Sequence, residues 1–179
     1  HFLHHSSIYS HHTGMAAKPT TSNAECLRVG DQLRRAFEGS AWHGPSLREL
    51  VSGVTAEQAI ARPLAVTHSI WELMLHIEAW EVAASDAIRG VAMPELPPEQ
   101  DWPAIAGRSA GAWSSLLESI FSTNEELVRA IENFGDARLG EIVPGRKYDF
   151  YHLFHGLAQH ALYHAGQIAL LKKPVQASA

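Results

Sequence analysis

The sequence predicts an all-α protein built as a four-helix bundle. Four long stretches carry apolar residues at steps of three and four, the spacing that puts them on one face of an α-helix. No stretch alternates apolar and polar residues for long enough to predict a strand. Of the 179 residues, 46% are hydrophobic and 18% are charged, which suits a single apolar core. Four such helices with a long first connection give a bundle.

The first half of the bundle is predicted from apolar stripes and helix-start signals. The first helix should run over about residues 23–38, with Cys26 as an inert core thiol. Two short helical turns and a second long helix ending near Gly90 should follow, because three capping boxes precede them. The three capping boxes are Ser46 with Glu49, Thr55 with Gln58, and Ser69 with Glu72.

The second half should contain two more long helices. Asp101 and Pro103 are start signals for the third, whose apolar stripe extends to Phe134. Asn124 lies within that stripe, either as a break or as a polar group directed at the core. The fourth helix should begin after the N-cap residue Asp149 and end at the segment 172–174, Lys-Lys-Pro.

Residues 1–14 are interpreted as a tag or leader, and residues 15–179 as one helical domain. Five histidines crowd the leader without helical or strand periodicity; the competing interpretation is a natural metal-binding tract. The single cysteine rules out an internal disulfide framework and favours a cytoplasmic location. The formal charge of -5 argues against a nucleic-acid binder, and no apolar run has the roughly 18 residues of a membrane span.

The remaining histidines carry the functional signal. On a wheel of about 100° per residue with Leu153 at zero, His160 and His164 fall near -20° and 20°, on the apolar face of the last helix. His76 lies at the edge of the apolar stripe of the second long helix. His152 and His155 point elsewhere, and His43 and His68 are interpreted as loop residues.

Buried imidazoles without partners cost about 1–3 kcal/mol each, so clustering them in one core is unfavourable unless a ligand satisfies them. Histidines at i and i+4 have Cβ atoms about 6 Å apart and can reach one ion. A divalent metal held by His76, His160 and His164 is therefore predicted. The alternative, which is favoured for any lone histidine, is a core imidazole bonded to a carbonyl or hydroxyl group.

Two segments resemble the DinB-like (YfiT-like) metalloprotein superfamily. The segment HALYHAGQI, from His160 to Ile168, resembles its closing motif, and LMLHIEAW, from Leu73 to Trp80, resembles the segment that supplies the third ligand. The likeness spans roughly residues 23–173. It implies an up-down-down-up helical bundle, often a homodimer, with His76, His160 and His164 binding zinc, nickel or iron and one coordination position open.

The resemblance leaves the reaction open. Members include transferases that use low-molecular-weight thiols and a thiol-dependent isomerase. Related iron-dependent sulfoxide synthases carry a glutamate two residues after the second histidine of the pair, where this chain has Gly166. That departure counts against their oxygen chemistry.

Two function classes follow. The first is a metal-dependent thiol transferase or hydrolase acting on a small molecule, since an open position lets a bound water or thiol lose its proton near neutral pH. The second is a non-catalytic, metal-stabilised protein for ligand binding or stress response. Candidates for supporting or acid/base roles beside the metal are Glu78, Asn124, Tyr163 and Gln167.

Overall fold

A computed structural model describes residues 22–177, which are mainly helical and contain no strand. The predicted all-α class is confirmed, and the leader over residues 1–14 lies outside the described residues. None of the described helices combines the length and hydropathy that a membrane-spanning segment needs. The α-helices are α1 (Ala24–Phe37), α2 (Leu47–Val51), α3 (Ala56–Ile60), α4 (Ile70–Ile88), α5 (Pro98–Asp101), α6 (Ala110–Glu132) and α7 (Phe150–Ala177).

The four long helices pack in a ring. Both α6 and α7 contact α1 and α4, while α2 and α3 pack against α7 and α3 also contacts α4. Each long helix contributes its apolar stripe to one core, represented by the fully buried Leu33, Ile77, Leu127 and Ile168. This packing puts α4 directly beside α7, the two helices that carry the predicted metal ligands.

Local capping signals set most helix starts. All three predicted capping boxes form, and Asp149 accepts a hydrogen bond of 2.9 Å from the His152 amide at the start of α7. The start of α1 differs, because Asn23 makes no side-chain cap. Asp136 instead accepts from the amides of Cys26 at 3.0 Å and Glu25 at 3.2 Å, and these bonds lower the Asp136 pKa to about 2.

Cys26 confirms the prediction of an inert core thiol. It is completely buried at the start of α1. Burial, followed by the nearby Asp136 carboxylate, raises the pKa of the thiol to about 11. At neutral pH the group therefore stays protonated and unreactive.

The predicted start of the third long helix is wrong. Asp101 ends the short helix α5, and α6 begins only at Ala110, after the Ser109 side chain accepts from the Ala112 amide. The physical reason is Pro103, which disfavours the helical conformation of the residue before it. Trp102 accordingly has φ -124° and ψ 78°, and an irregular connection follows it.

The predicted end of the last helix is also wrong. Helix α7 continues through Pro174 to Ala177. Tertiary contacts hold this last part: Val175 is buried, its carbonyl accepts from the Gln58 side chain at 3.4 Å, and Lys172 Nζ donates to the Ser52 carbonyl at 3.1 Å. These contacts offset the loss of one helical amide donor at the proline.

Asn124 does not break α6; it is buried and directed at a second polar group in the core. Its Nδ2 donates to Oε1 of Glu81 on α4 at 2.6 Å, while Oε2 of Glu81 has no partner among the described residues. Burial raises the pKa of Glu81 to about 8. Glu81 is thus an uncharged carboxylic acid in the folded protein at neutral pH.

This raised pKa makes stability depend on pH. The contribution of the protonated Glu81 is complete below the ordinary carboxyl pKa of 4.5 and is lost as pH rises towards 8. Between these two pH values, each unit of rise in pH lowers the free energy of unfolding by about 1.4 kcal/mol through Glu81. We expect Glu81→Gln to remove that slope, as measured by urea unfolding from pH 5 to pH 8 with a chelator present.

Glu126→Gln is the control, because Glu126 is an exposed carboxylate on α6. It should show the wild-type pH dependence. If Glu81→Gln also shows the wild-type pH dependence, Glu81 ionises normally in the folded protein and its assignment as a neutral acid is wrong.

Candidate metal centre

Three predicted histidines meet between α4 and α7. Nε2 of His160 lies 2.9 Å from Nε2 of His76 and 3.0 Å from Nε2 of His164. His76 and His164 are buried and His160 is half-buried. These three side chains form a group that could hold a metal ion, with candidate ligand atoms all within 4.8 Å of one another.

Helix geometry explains the convergence. His160 and His164 are one turn apart on α7, so their side chains leave the same face of the helix. His76 lies on the face of α4 that packs against α7. The i, i+4 pair and the helix contact together bring the three rings to one point.

The connection after α4 fixes the proton of His76. Its Nδ1 lies 2.6 Å from the Asp101 carbonyl oxygen, which can only accept a hydrogen bond, so Nδ1 carries the proton. The Asp101 carboxylate is also close, with Oδ1 3.2 Å from Nδ1, and it accepts from Trp80 Nε1 at 2.8 Å. Nε2 of His76 is left with a free lone pair directed at the other two histidines.

Gln167 fixes the proton of His164 in the same way. Its Oε1 lies 2.7 Å from His164 Nδ1, so that nitrogen donates and Nε2 keeps its lone pair. Hydrogen bonds to the remote ring nitrogen orient metal-binding histidines in proteins and raise their basicity. Two of the three imidazoles therefore have the tautomer that a metal requires.

The three histidines suit a shared cation better than they suit hydrogen bonds to one another. His160 Nε2 carries at most one proton, which cannot serve both of its neighbours' lone pairs. Burial, followed by the nearby His164 and His76, lowers the pKa of His160 to about 3, and burial is also the main cause of a lowered pKa at His164. Tetrahedral bonds of about 2.1 Å would separate the nitrogens by about 3.4 Å, a few tenths of an ångström more than the distances from His160 Nε2 to its two neighbours.

Two tryptophans enclose the histidines. Trp102 stacks on His76 with ring centroids 3.9 Å apart and on His68 at 3.6 Å, and it meets His164 edge-on at 6.3 Å. Trp80 meets His160 and His76 edge-on, with centroids 6.1 Å and 6.5 Å apart. These rings limit the access of water to the imidazoles from their sides.

Two clefts reach the histidine group from different directions. The larger, of about 360 Å³, ends against His164 and Gln167. Its walls are mainly apolar and include Trp102, Tyr163 and Leu73. The smaller cleft, of about 210 Å³, is lined by Trp80, Tyr148, His152, Leu153, Gly156, Leu157 and His160.

Of the other candidate residues, Tyr163 lies beside the histidine group with Gln167, whereas Glu78 and Asn124 lie elsewhere. Tyr163 lines the larger cleft with its ring centroid 5.1 Å from that of His164. Glu78 instead accepts a hydrogen bond from Ser119, and Asn124 bonds Glu81 in the core. Neither Glu78 nor Asn124 takes part in the hydrogen bonds of the histidine group.

The other histidines lie mainly where the sequence placed them. His43 occupies an exposed turn and His152 the exposed start of α7, while half-buried His155 lies 3.8 Å from a Glu25 oxygen. His68 is an exposed loop residue as expected, but its stack on Trp102 makes it part of the larger cleft.

Sequence reasoning missed Asp101, Trp102 and Trp80. The sequence indicates Asp101 only as a start signal for the third long helix, and it gives Trp80 and Trp102 no part in the site. The available signal was the proline-rich connection, since Pro97 and Pro98 favour a local helix start. No local pattern indicates that this segment folds back onto His76.

Comparison with known proteins identifies the family of this chain. No curated protein and no solved structure matches the chain. The family model of the DinB superfamily matches residues 41–168, which include all three histidines, the Asp101 and Trp102 segment, and Gln167. The chain therefore belongs to the DinB superfamily.

Proposed function

We propose that this protein is a divalent-metal-dependent enzyme of the thiol transferase or hydrolase type, with His76, His160 and His164 as the metal ligands. The observation that carries the proposal is the convergence of three Nε2 atoms, two of them deprotonated because Nδ1 donates to a carbonyl oxygen. This arrangement matches a catalytic metal site with three protein ligands.

An open coordination position is supported by the absence of a fourth candidate. Among residues 22–177, the group has no further histidine, cysteine or carboxylate. A divalent ion bound by three neutral imidazoles would lower the pKa of a water or thiol at the open position, giving a nucleophile near neutral pH. The ion could be zinc, nickel or iron, because imidazole suits all three.

The chain's own residues supply orientation and shelter. Asp101 and Gln167 hold two ligand rings in place, and the stacked Trp102 shields one of them. The Tyr163 hydroxyl is a candidate proton donor or acceptor in the larger cleft, because the residue is exposed there beside His164. An apolar substrate group would fit between Leu73, Trp102 and Leu171.

A non-catalytic, metal-stabilised role is the second candidate. It is favoured by the position of the group between two helices of the ring, where an ion would cross-link α4 to α7. The two clefts that border the histidines favour the enzyme, since a purely structural site is normally closed.

We also propose that the ring of long helices has the up-down-down-up topology of a four-helix bundle and that the protein forms a homodimer. The ring contacts of α1, α4, α6 and α7 support the bundle. The family resemblance is the basis of the dimer.

Removing a ligand histidine should abolish stoichiometric metal binding. The test uses the full chain with its five leading histidines replaced by glutamine, so that only the proposed site remains. We expect one zinc, nickel or iron ion per chain, and loss of that ion in His160→Ala and His164→Ala, measured by elemental analysis after dialysis.

His155→Ala is the matched control, because His155 lies on α7 outside the histidine group. It should retain one ion per chain. If the His160 and His164 variants still hold one ion per chain, the metal has other ligands.

Chelation should lower thermal stability. An ion that binds the folded state at 100 times its Kd adds about 2.7 kcal/mol, so its removal should lower the Tm by on the order of 5–10 °C in a chain of this size. Scanning calorimetry with and without a chelator measures the shift. The chelator should not shift the Tm of His160→Ala. An unchanged wild-type Tm after verified metal removal would contradict stabilisation by the ion.

A small thiol should bind the cobalt-loaded protein at the metal. Three neutral ligands leave the ion its full positive charge, which attracts a thiolate. We expect the visible spectrum to change on titration with 2-mercaptoethanol, and binding to strengthen as pH rises towards the thiol pKa. A spectrum that does not respond to thiols would favour the non-catalytic role.

A further inference from the structure

We infer that the smaller cleft is a carboxylate-binding subsite, in which Arg146 binds the carboxylate of a thiol co-substrate. This inference rests on the proposed function, because it identifies the chemical class of the thiol. The subsite consists of the cleft walls Trp80, Tyr148 and Gly156, together with Arg146, which is not itself a lining residue but lies over the rings of Trp80 and Tyr148.

Arg146 is a cation without a counter-ion. Every other described arginine except the exposed Arg108 contacts a carboxylate within 4.0 Å, whereas Arg146 contacts none among residues 22–177. Its Nη2 donates to the Pro94 carbonyl at 2.8 Å. Its Nε is buried and has no hydrogen-bond partner. A half-buried guanidinium without a carboxylate partner is suited to an anionic ligand.

Arg146 and the histidine group are neighbours of the same residue, Trp80. The guanidinium carbon lies 5.6 Å from the Trp80 ring centroid and 5.9 Å from that of Tyr148, and both rings line the smaller cleft. The Trp80 centroid is in turn 6.1 Å from that of His160. Trp80 is thus a neighbour of both Arg146 and His160, and a small molecule packed against Trp80 could approach both.

The cleft has room, and none of its lining residues is acidic. The two nearby carboxylates already have partners: Asp149 caps α7, and Asp101 accepts from Trp80 Nε1. Gly156 is inside α7, where glycine costs about 0.5–1 kcal/mol relative to alanine, yet a Cβ built on it meets no atom within 4 Å. The missing side chain leaves open space next to His160 and Trp80.

A carboxylate is the anion that this site suits. An arginine can bind a carboxylate through two parallel hydrogen bonds, and the aromatic walls fit the hydrocarbon part of a small thiol. A thiol with a carboxylate at its other end would satisfy Arg146 and present its sulfur to the metal centre. The larger, mainly apolar cleft would remain available for the second substrate.

Paired thiols test the inference. The full cobalt-loaded chain, with its five leading histidines replaced by glutamine, is titrated with 3-mercaptopropionate, 3-mercapto-1-propanol, 6-mercaptohexanoate and 6-mercapto-1-hexanol. The visible spectrum gives a Kd for each thiol. We expect at least one acid to bind roughly ten-fold more tightly than its alcohol, as a charge-assisted hydrogen bond predicts.

Arg146→Gln should remove the advantage of the acid and leave the affinity for the alcohol unchanged. Lys147→Gln is the matched control, because it removes the same charge from the adjacent, exposed residue and should preserve the advantage. Cobalt content and Tm are measured for both variants, so that a folding defect is recognised.

A second pair of variants tests the cleft without changing charge. Gly156→Leu should fill the cleft and weaken the tighter-binding acid at least ten-fold. Gly166→Leu is its control, since Gly166 is also inside α7, also has open space around its Cβ position, and lines neither cleft. Both variants should keep one cobalt ion per chain.

The outcomes separate this inference from the proposed function. Equal affinities for acid and alcohol in the wild type, or an acid advantage that persists in Arg146→Gln, overturn the subsite while thiol binding at the metal stands. Unchanged acid affinity in Gly156→Leu also overturns it. If no thiol of either kind alters the spectrum, the thiol chemistry of the proposed function fails, and the subsite fails with it.

Discussion

The central constraint on this protein is the meeting of three imidazole nitrogens between α4 and α7. Nε2 of His160 contacts Nε2 of both His76 and His164, while hydrogen bonds elsewhere fix the protons of those two rings on Nδ1. A proton on His160 can satisfy only one neighbour. A cation shared by all three would resolve the conflict, and the hydrogen bonds, stacked rings and helix contacts around the histidines hold the three rings in place.

Features encoded by neighbouring residues could be predicted from the sequence. The capping boxes depend on residues three apart, and all three form. The inward direction of His160 and His164 follows from their spacing on one helix, and the inert Cys26 follows from its apolar stripe. The pairing of Gln167 with His164 is likewise local, at i and i+3.

Features that depend on distant contacts could not be predicted. Asp136 caps a helix that begins more than a hundred residues earlier, and Glu81 needs the packing of α4 on α6 to meet Asn124. Asp101 and Trp102 look like the start of a helix when only their neighbours are considered. Their contacts with His76, 25 residues earlier in the chain for Asp101, exist only after the connection has folded back.

Because this connection folds back onto His76, the three histidines do not define the centre by themselves. A main-chain carbonyl at Asp101 sets the tautomer of His76, so no side-chain substitution at position 101 removes that bond directly. Transplanting the centre into another helical protein would therefore require the backbone path of residues 98–102 as well as the ligands. A designed protein given the histidines alone would have the donor atoms without the hydrogen bond that orients one of them.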